Sequence, residues 1–236
     1  MATIRRTHSP GLSGTSTVLH PRQRAGRELR WQRSRVSPLI SILKGGIDTD
    51  YRIIEKSAFD AVGKARKISL VGGENFRAVP QFWDEFIHDK NGEKVLMEYA
   101  KEPGPVTGSI ELGICVGEGV KNGWWESPKL SAGYEGFIYA IGVEKPDKPV
   151  PKGFEVFHIP KATWVVFESV GPMPKSIQDV TVKIFQEWFP STGYEHDAKP
   201  ELEVYLPGDP NSKDYRCQVW IPILKKKKTA STKKSQ

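Results

Sequence analysis

The stretch "KPELEVYLPGD" at 199–209 sets Glu201, Glu203 and Tyr205 on one face of an extended chain and Leu202, Val204 and Leu206 on the other. Two carboxylates and a phenol at this spacing can be the wet side of a sheet or the floor of a site, and spacing alone leaves both open. A site of this kind would hold a cation or move a proton, provided that other elements keep water from the acids. Aromatic residues are plentiful nearby: Trp124, Trp125, Tyr134, Tyr139, Trp164 and Trp220 fall in expected strands or connecting loops. Rings around an acid suit a flat or cationic organic molecule, since a cation over a ring face gains roughly 0.5 to 2 kcal/mol. In "GWW" at 123–125 the paired tryptophans have no evident core to fill, which suggests a lid over a pocket. Trp83 and Trp188 sit on helical stripes and read as core, and Glu201 reads as a solvated rim residue.

Signatures of catalysis are few. The five histidines are scattered, no Ser or Cys stands in a nucleophile elbow, and "VGGEN" at 71–75 lacks the lysine and spacing of a phosphate loop. Cys115 and Cys217 lie inside expected strands without the spacing of a zinc site or a disulfide framework, so neither metal nor cofactor is expected. Glu168 and Glu203 are the pair that would do acid/base work if they met across the fold.

Two passages of similar grammar would position these residues. In the first, "FDAVGKARKISL" reads as a strand, "PQFWDEFIHDK" as a helix with Pro80 in its first turn, and "SIELGICVG" and "YEGFIYAIGVE" as strands. In the second, "ATWVVFESVG", "SIQDVTVKIFQEWF", "PELEVYLPGD" and "DYRCQVWIPI" repeat the order. The second helix is the clearer, with Ile177, Val180, Ile184 and Trp188 on one stripe, Ser176 and Asp179 as its cap, and Pro190 as its end. The fold class expected is α+β, with duplicated βαββ halves forming an antiparallel sheet, helices on one face and a pocket between the halves. Leu202, Val204 and Leu206 would pack beneath the helix, leaving Glu203 and Tyr205 on the helix-free face. The repeat also makes "ELGIC" at 111–115 the counterpart of "ELEVY", matching Gly113 to Glu203 and Cys115 to Tyr205, small residues against bulky ones that would leave a hollow.

The chain has 236 residues and a net charge of +7, but the charge is unevenly spread. Of 35 Lys+Arg and 28 Asp+Glu, residues 1–46 take nine and one and residues 225–236 take six and none, which leaves twenty and 27, a net of −7, for 47–224. A mildly anionic domain draws cations and disfavours phosphate backbones, whereas the basic ends would make weak, non-specific nucleic-acid contacts. The organisation expected is a disordered basic segment over 1–46, a domain over 47–224 and a basic tail over 225–236. The Arg-rich start would also suit a transit segment. "GFIYAIGV" at 136–143 is among the longest apolar runs and is far short of the roughly 20 residues of a membrane helix, so no membrane span is expected and a reducing, cytoplasmic setting fits the cysteines.

Seven strings, "DYRIIEKSAFDAVG", "ELGIC", "FIYAIGVE", "PKATWVVFESVGPMP", "IFQEWFPSTGYE", "ELEVYLPGD" and "CQVWIPI", together resemble the GyrI-like small-molecule-binding domain over roughly 48–224. This effector-binding module occurs behind DNA-binding domains in AraC-type and multidrug-responsive MerR-type regulators, and also alone. The resemblance implies the duplicated fold and makes Glu203 the pocket carboxylate facing cationic drugs. Tyr139, Tyr205, Trp164 and Trp220 then become the walls and Trp125 part of the lid. It departs from the family at Gln218, where relatives often carry an acid, and some stand-alone relatives hydrolyse cyclopropane-bearing toxins, so such a hydrolase is the alternative. "SPLISILKGGIDTDYRI" at 37–53 looks like the linker that follows an AraC-type DNA reader, yet only 36 residues precede it where such a reader needs about 100. The expectation is a binding module derived from a regulator, without its DNA-binding head, taking a cationic aromatic ligand and acting alone or with a partner regulator.

Overall fold

Strands and helices follow one another as two related series in the computed structural model, which describes residues 50–117 and 136–226. The first series is β1 (Tyr51–Lys56), β2 (Phe59–Ser69), α1 (Asn75–His88), α2 (Glu93–Tyr99), β3 (Glu111–Gly117) and β4 (Gly136–Glu144). The second is β5 (Glu155–Ile159), β6 (Ala162–Val170), α3 (Lys175–Lys183), β7 (Tyr194–His196), β8 (Glu201–Tyr205) and β9 (Arg216–Lys225). Among the described residues the strand pairings are antiparallel, in the order β1-β6-β9-β8-β3-β4-β2-β5, with β7 added beside β9. The class is α+β, as expected. Each half nevertheless opens with a strand that the repeat reading missed, and each of these strands is lent to the other half: β1 pairs with β6 and β5 with β2.

That exchange decides where the core lies. β5 and β6 stand near opposite ends of the sheet order, yet only Pro160 and Lys161 join them, and only Ser57 and Ala58 join β1 to β2. Links this short draw the two ends of the sheet toward each other, so the helix-free face curls over its own core. Leu112, Ile114, Phe157, Val166, Leu202 and Val204 are buried there. Trp164 and Trp220 join them, 1% and 2% exposed, with ring centroids 5.9 Å apart. The expectation that Leu202 and Val204 lie beneath a helix is therefore inverted: they face the curl, and Glu203 and Tyr205 face the helices. An alternating strand tells its two faces apart but not which neighbour each will meet.

The helix face holds the other core, built on Phe82, Trp83 and Phe86 of α1 and Ile177 of α3, with Ile184 and Trp188 in the π-helical segment Ile184–Trp188 that continues α3. Trp188 packs between Tyr51, Phe167 and Tyr194, at centroid distances of 5.5 to 5.8 Å. Ser176 and Asp179 do not cap α3: the Ser176 hydroxyl donates to the Gly171 carbonyl and Asp179 pairs with Lys175 at 2.6 Å. Pro80 also departs from expectation, since α1 begins at Asn75 and holds it inside. A proline there cannot donate to the carbonyl four residues back. That carbonyl, on Phe76, accepts a hydrogen bond from Gln178 Nε2 of α3 at 2.9 Å, tying the helices of the two halves together. No helix among the described residues is long and apolar enough to cross a membrane.

Because Trp164 and Trp220 fill the curl, truncating either to Ala is expected to cost about 3 to 5 kcal/mol of stability. Urea unfolding monitored by far-ultraviolet circular dichroism measures it.

Candidate functional site

β3 and β8 run side by side where the two halves meet, and their register is symmetric: Gly113 stands opposite Glu203, Cys115 opposite Glu201 and Glu111 opposite Tyr205. The pseudo-twofold axis thus passes between Gly113 and Glu203. Cys115 is also paired with Tyr139 on β4, and Tyr205 with Cys217 on β9, so each half supplies one tyrosine and one cysteine in exchanged positions. The result is a single carboxylate on the axis with a phenol on either side. Gly113 makes room for it, since a Cβ at that position would run into the Tyr139 hydroxyl and the Glu203 carboxylate.

Both phenols donate to the same oxygen, Glu203 Oε2, Tyr205 at 2.7 Å and Tyr139 through a very short bond. Trp83 Nε1 of α1 donates in turn to the Tyr139 oxygen at 2.8 Å, and its ring meets the Tyr205 ring edge-on at 4.9 Å. Above this floor lies a cavity of about 1360 Å³. Its walls include Val79 and Trp83 of α1, Ile177 of α3, Phe185 and Phe137. Glu203 keeps partial accessibility because its side chain faces this cavity and not because it reaches the outer surface.

Among the described residues no Lys, Arg or His forms an ion pair with Glu203. Lys64 and Arg66, on β2 beside the Tyr139 strand β4, are engaged with Asp89 and Glu85 at 2.8 and 2.5 Å. Burial pushes the Glu203 carboxyl above its ordinary range, the two tyrosine bonds pull it back, and Glu201 raises it again. Tyr139 and Tyr205 are raised well above the usual phenol value, first by burial and then by the Glu203 charge, so they remain neutral donors. Burial likewise raises the Cys115 thiol, which keeps it from acting as a thiolate nucleophile.

The structure brings Glu203, Tyr205 and Tyr139 together and leaves the other candidates elsewhere. Trp164 and Trp220 do not wall the cavity, because both point into the curl on the opposite face. Trp125 lies outside the described residues, as do residues 1–49 and 227–236; β9 extends to Lys225, the first residue of the expected tail. Glu168 does not meet Glu203: it pairs with Arg216 at 2.7 Å. Gln218 accepts from Trp220 Nε1 at 2.8 Å on the face of the curl, so an acid at that position would not stand beside Glu203. Glu201 is no free rim residue, since it pairs with His196 at 3.0 Å on the cavity wall. Sequence reasoning missed two residues. The helical stripe of Trp83 marks it as core and carries no sign that its indole also donates to Tyr139. Glu111, the counterpart of Glu201 in the repeat, lines the cavity at 2% exposure.

A family model described as the GyrI-like small-molecule binding domain matches residues 49–224. Similar folds occur in SAV2435, solved with tetraphenylphosphonium bound, at a TM-score of 0.58 and 18% identity, over 74% of this chain and 94% of that one. A Staphylococcus aureus MU50 protein described as a transcription regulation protein follows at 0.54 and 21%, over 74% and 98%. A Vibrio cholerae integron cassette protein reaches 0.50 and 12%, over 74% and 95%. No curated protein matches the sequence.

The buried acids leave a mark on stability. Burial first, and then the Glu93 charge, raise the Glu111 carboxyl from 4.5 to about 8. An acid that holds its proton more tightly when folded stabilises the fold fully below its unfolded value and loses that contribution as pH rises through its folded value. Stability is therefore expected to fall between pH 4.5 and about 8, with Glu203 adding to the fall. Glu111→Gln should flatten much of the slope in urea unfolding measured across that range.

Proposed function

Because the chain belongs to the GyrI-like small-molecule binding domain family, we propose that it binds hydrophobic organic cations in the cavity between its halves, with Glu203 as the counter-charge. One observation carries this reading: a buried carboxylate fixed by two neutral phenols, with no ion-pair partner among the described residues, at the floor of a large aromatic-walled cavity. Removing an ion from water costs several kcal/mol, and hydrogen bonds to a charged group return about 1.5 to 3 each, so the anion is held in place but not neutralised. A cation entering over the rings supplies the missing charge and gains from burying its apolar groups.

The residues assigned to the ligand are Glu203 for charge, Tyr139 and Tyr205 for its placement, and Trp83 for the wall beside them. SAV2435, which shares the fold, has tetraphenylphosphonium bound, a hydrophobic cation of the class proposed here. The module is read as the effector-binding part of a regulator, acting as a cytoplasmic capture domain or with a partner. Hydrolysis is the weaker reading, because position 218, where relatives often carry a second acid, holds Gln218 on the other side of the sheet, and both tyrosine hydroxyls are committed to Glu203.

Glu203→Gln is expected to weaken tetraphenylphosphonium by about 1 to 2 kcal/mol, roughly tenfold, while leaving a neutral tetraaryl analogue of the same shape unchanged. Titrations followed by tryptophan fluorescence read both ligands. Equal losses for the cation and the neutral molecule would remove the charge role from Glu203.

A further inference from the structure

Glu111 has no place in the mechanism so far, yet it is the most deeply buried acid on the cavity wall. Its Oε1 has no hydrogen-bond partner, although a buried carboxyl oxygen left unbonded costs on the order of 1 to 3 kcal/mol. By the pseudo-twofold its counterpart is Glu201, which has His196 beside it at 3.0 Å. No described His, Lys or Arg forms a comparable pair with Glu111. The titratable groups facing it are Glu93 from α2, Tyr215 from the segment before β9, and Tyr205 across the ladder.

We propose that Glu111 forms a second cation subsite, so that the cavity favours compact dications whose two positive centres reach Glu203 and Glu111 together. The proposal rests on the cavity being a cation site at Glu203. Glu111 lies two residues from Gly113, the ladder partner of Glu203, which makes the two acids diagonal neighbours with Cα atoms about 7 to 8 Å apart. Both side chains line the same cavity. Burial first, and then the negative field of Glu93, keep a proton on Glu111, and a second positive centre beside it would offset both. Pairing with that centre ionises Glu111, and its proton leaves to solvent.

The test pairs an alkyltrimethylammonium with the bis-trimethylammonium of the same chain, about five carbons long, so that charge count is the main difference. Above pH 8, where Glu111 is ionised, the dication should bind the wild-type protein about tenfold or more tighter than the monocation. Glu111→Gln should bring the ratio of the two dissociation constants close to one. Gln is nearly isosteric with the protonated carboxyl it replaces, and thermal unfolding checks that the variant folds.

A second measurement needs no variant. Calorimetry near neutral pH, in two buffers of different ionisation heat, should show about one more proton released by the dication than by the monocation. The monocation accounts for any proton that Glu203 gives up. A wild-type protein that binds the monocation without preferring the dication overturns this proposal alone, as does a preference that survives in Glu111→Gln. Failure to bind either cation overturns it together with the function proposed for Glu203.

Discussion

The structure turns on one carboxylate that has been taken out of bulk water with no ion-pair partner among the described residues. Glu203 is held by two phenols on a single oxygen, and one of those phenols is itself fixed by the Trp83 indole. Neutral donors fix position at modest energetic return, whereas a lysine in their place would have cancelled the charge and closed the site to other cations. What remains is a fixed negative centre beneath rings, and an incoming cation finds it already oriented.

Duplication explains how such a centre is assembled. Two identical halves would place identical groups on either side of the axis, so like charges would crowd together or small residues would leave nothing to bind. Here the copies have diverged where they touch: Gly113 answers Glu203, Cys115 answers Tyr205, and Cys217 answers Tyr139. The exchanged strands β1 and β5 bind the halves into one curled sheet, and Gln178 of one helix takes the carbonyl that Pro80 leaves free on the other. The floor and the roof of the cavity therefore come from both copies.

Much of this was legible in the residues. The strand period of "ELEVY", the stripe of Ile177, Ile184 and Trp188, and the repeat that matches Gly113 to Glu203 are all present in the fold. The facing of the sheet was not, because alternation separates two faces without saying that the helix-free one curls over its own core. Trp164 and Trp220 were misplaced for that reason. β1 and β5 escaped the repeat because their partners lie in the other half, a non-local pairing without a local signal. Glu111 was visible as the mate of Glu201, but its depth depends on α2 and on Tyr215, which are remote in sequence.

Carbon NMR of the Glu203 side-chain carboxyl, titrated with and without tetraphenylphosphonium, reaches the central claim most directly. In the free protein the midpoint is expected above the ordinary glutamate value of 4.5, and it should fall when the cation is bound, because a cation favours the ionised form. A carboxyl that titrates at its ordinary value and ignores the cation would contradict a buried anion waiting for its counter-charge.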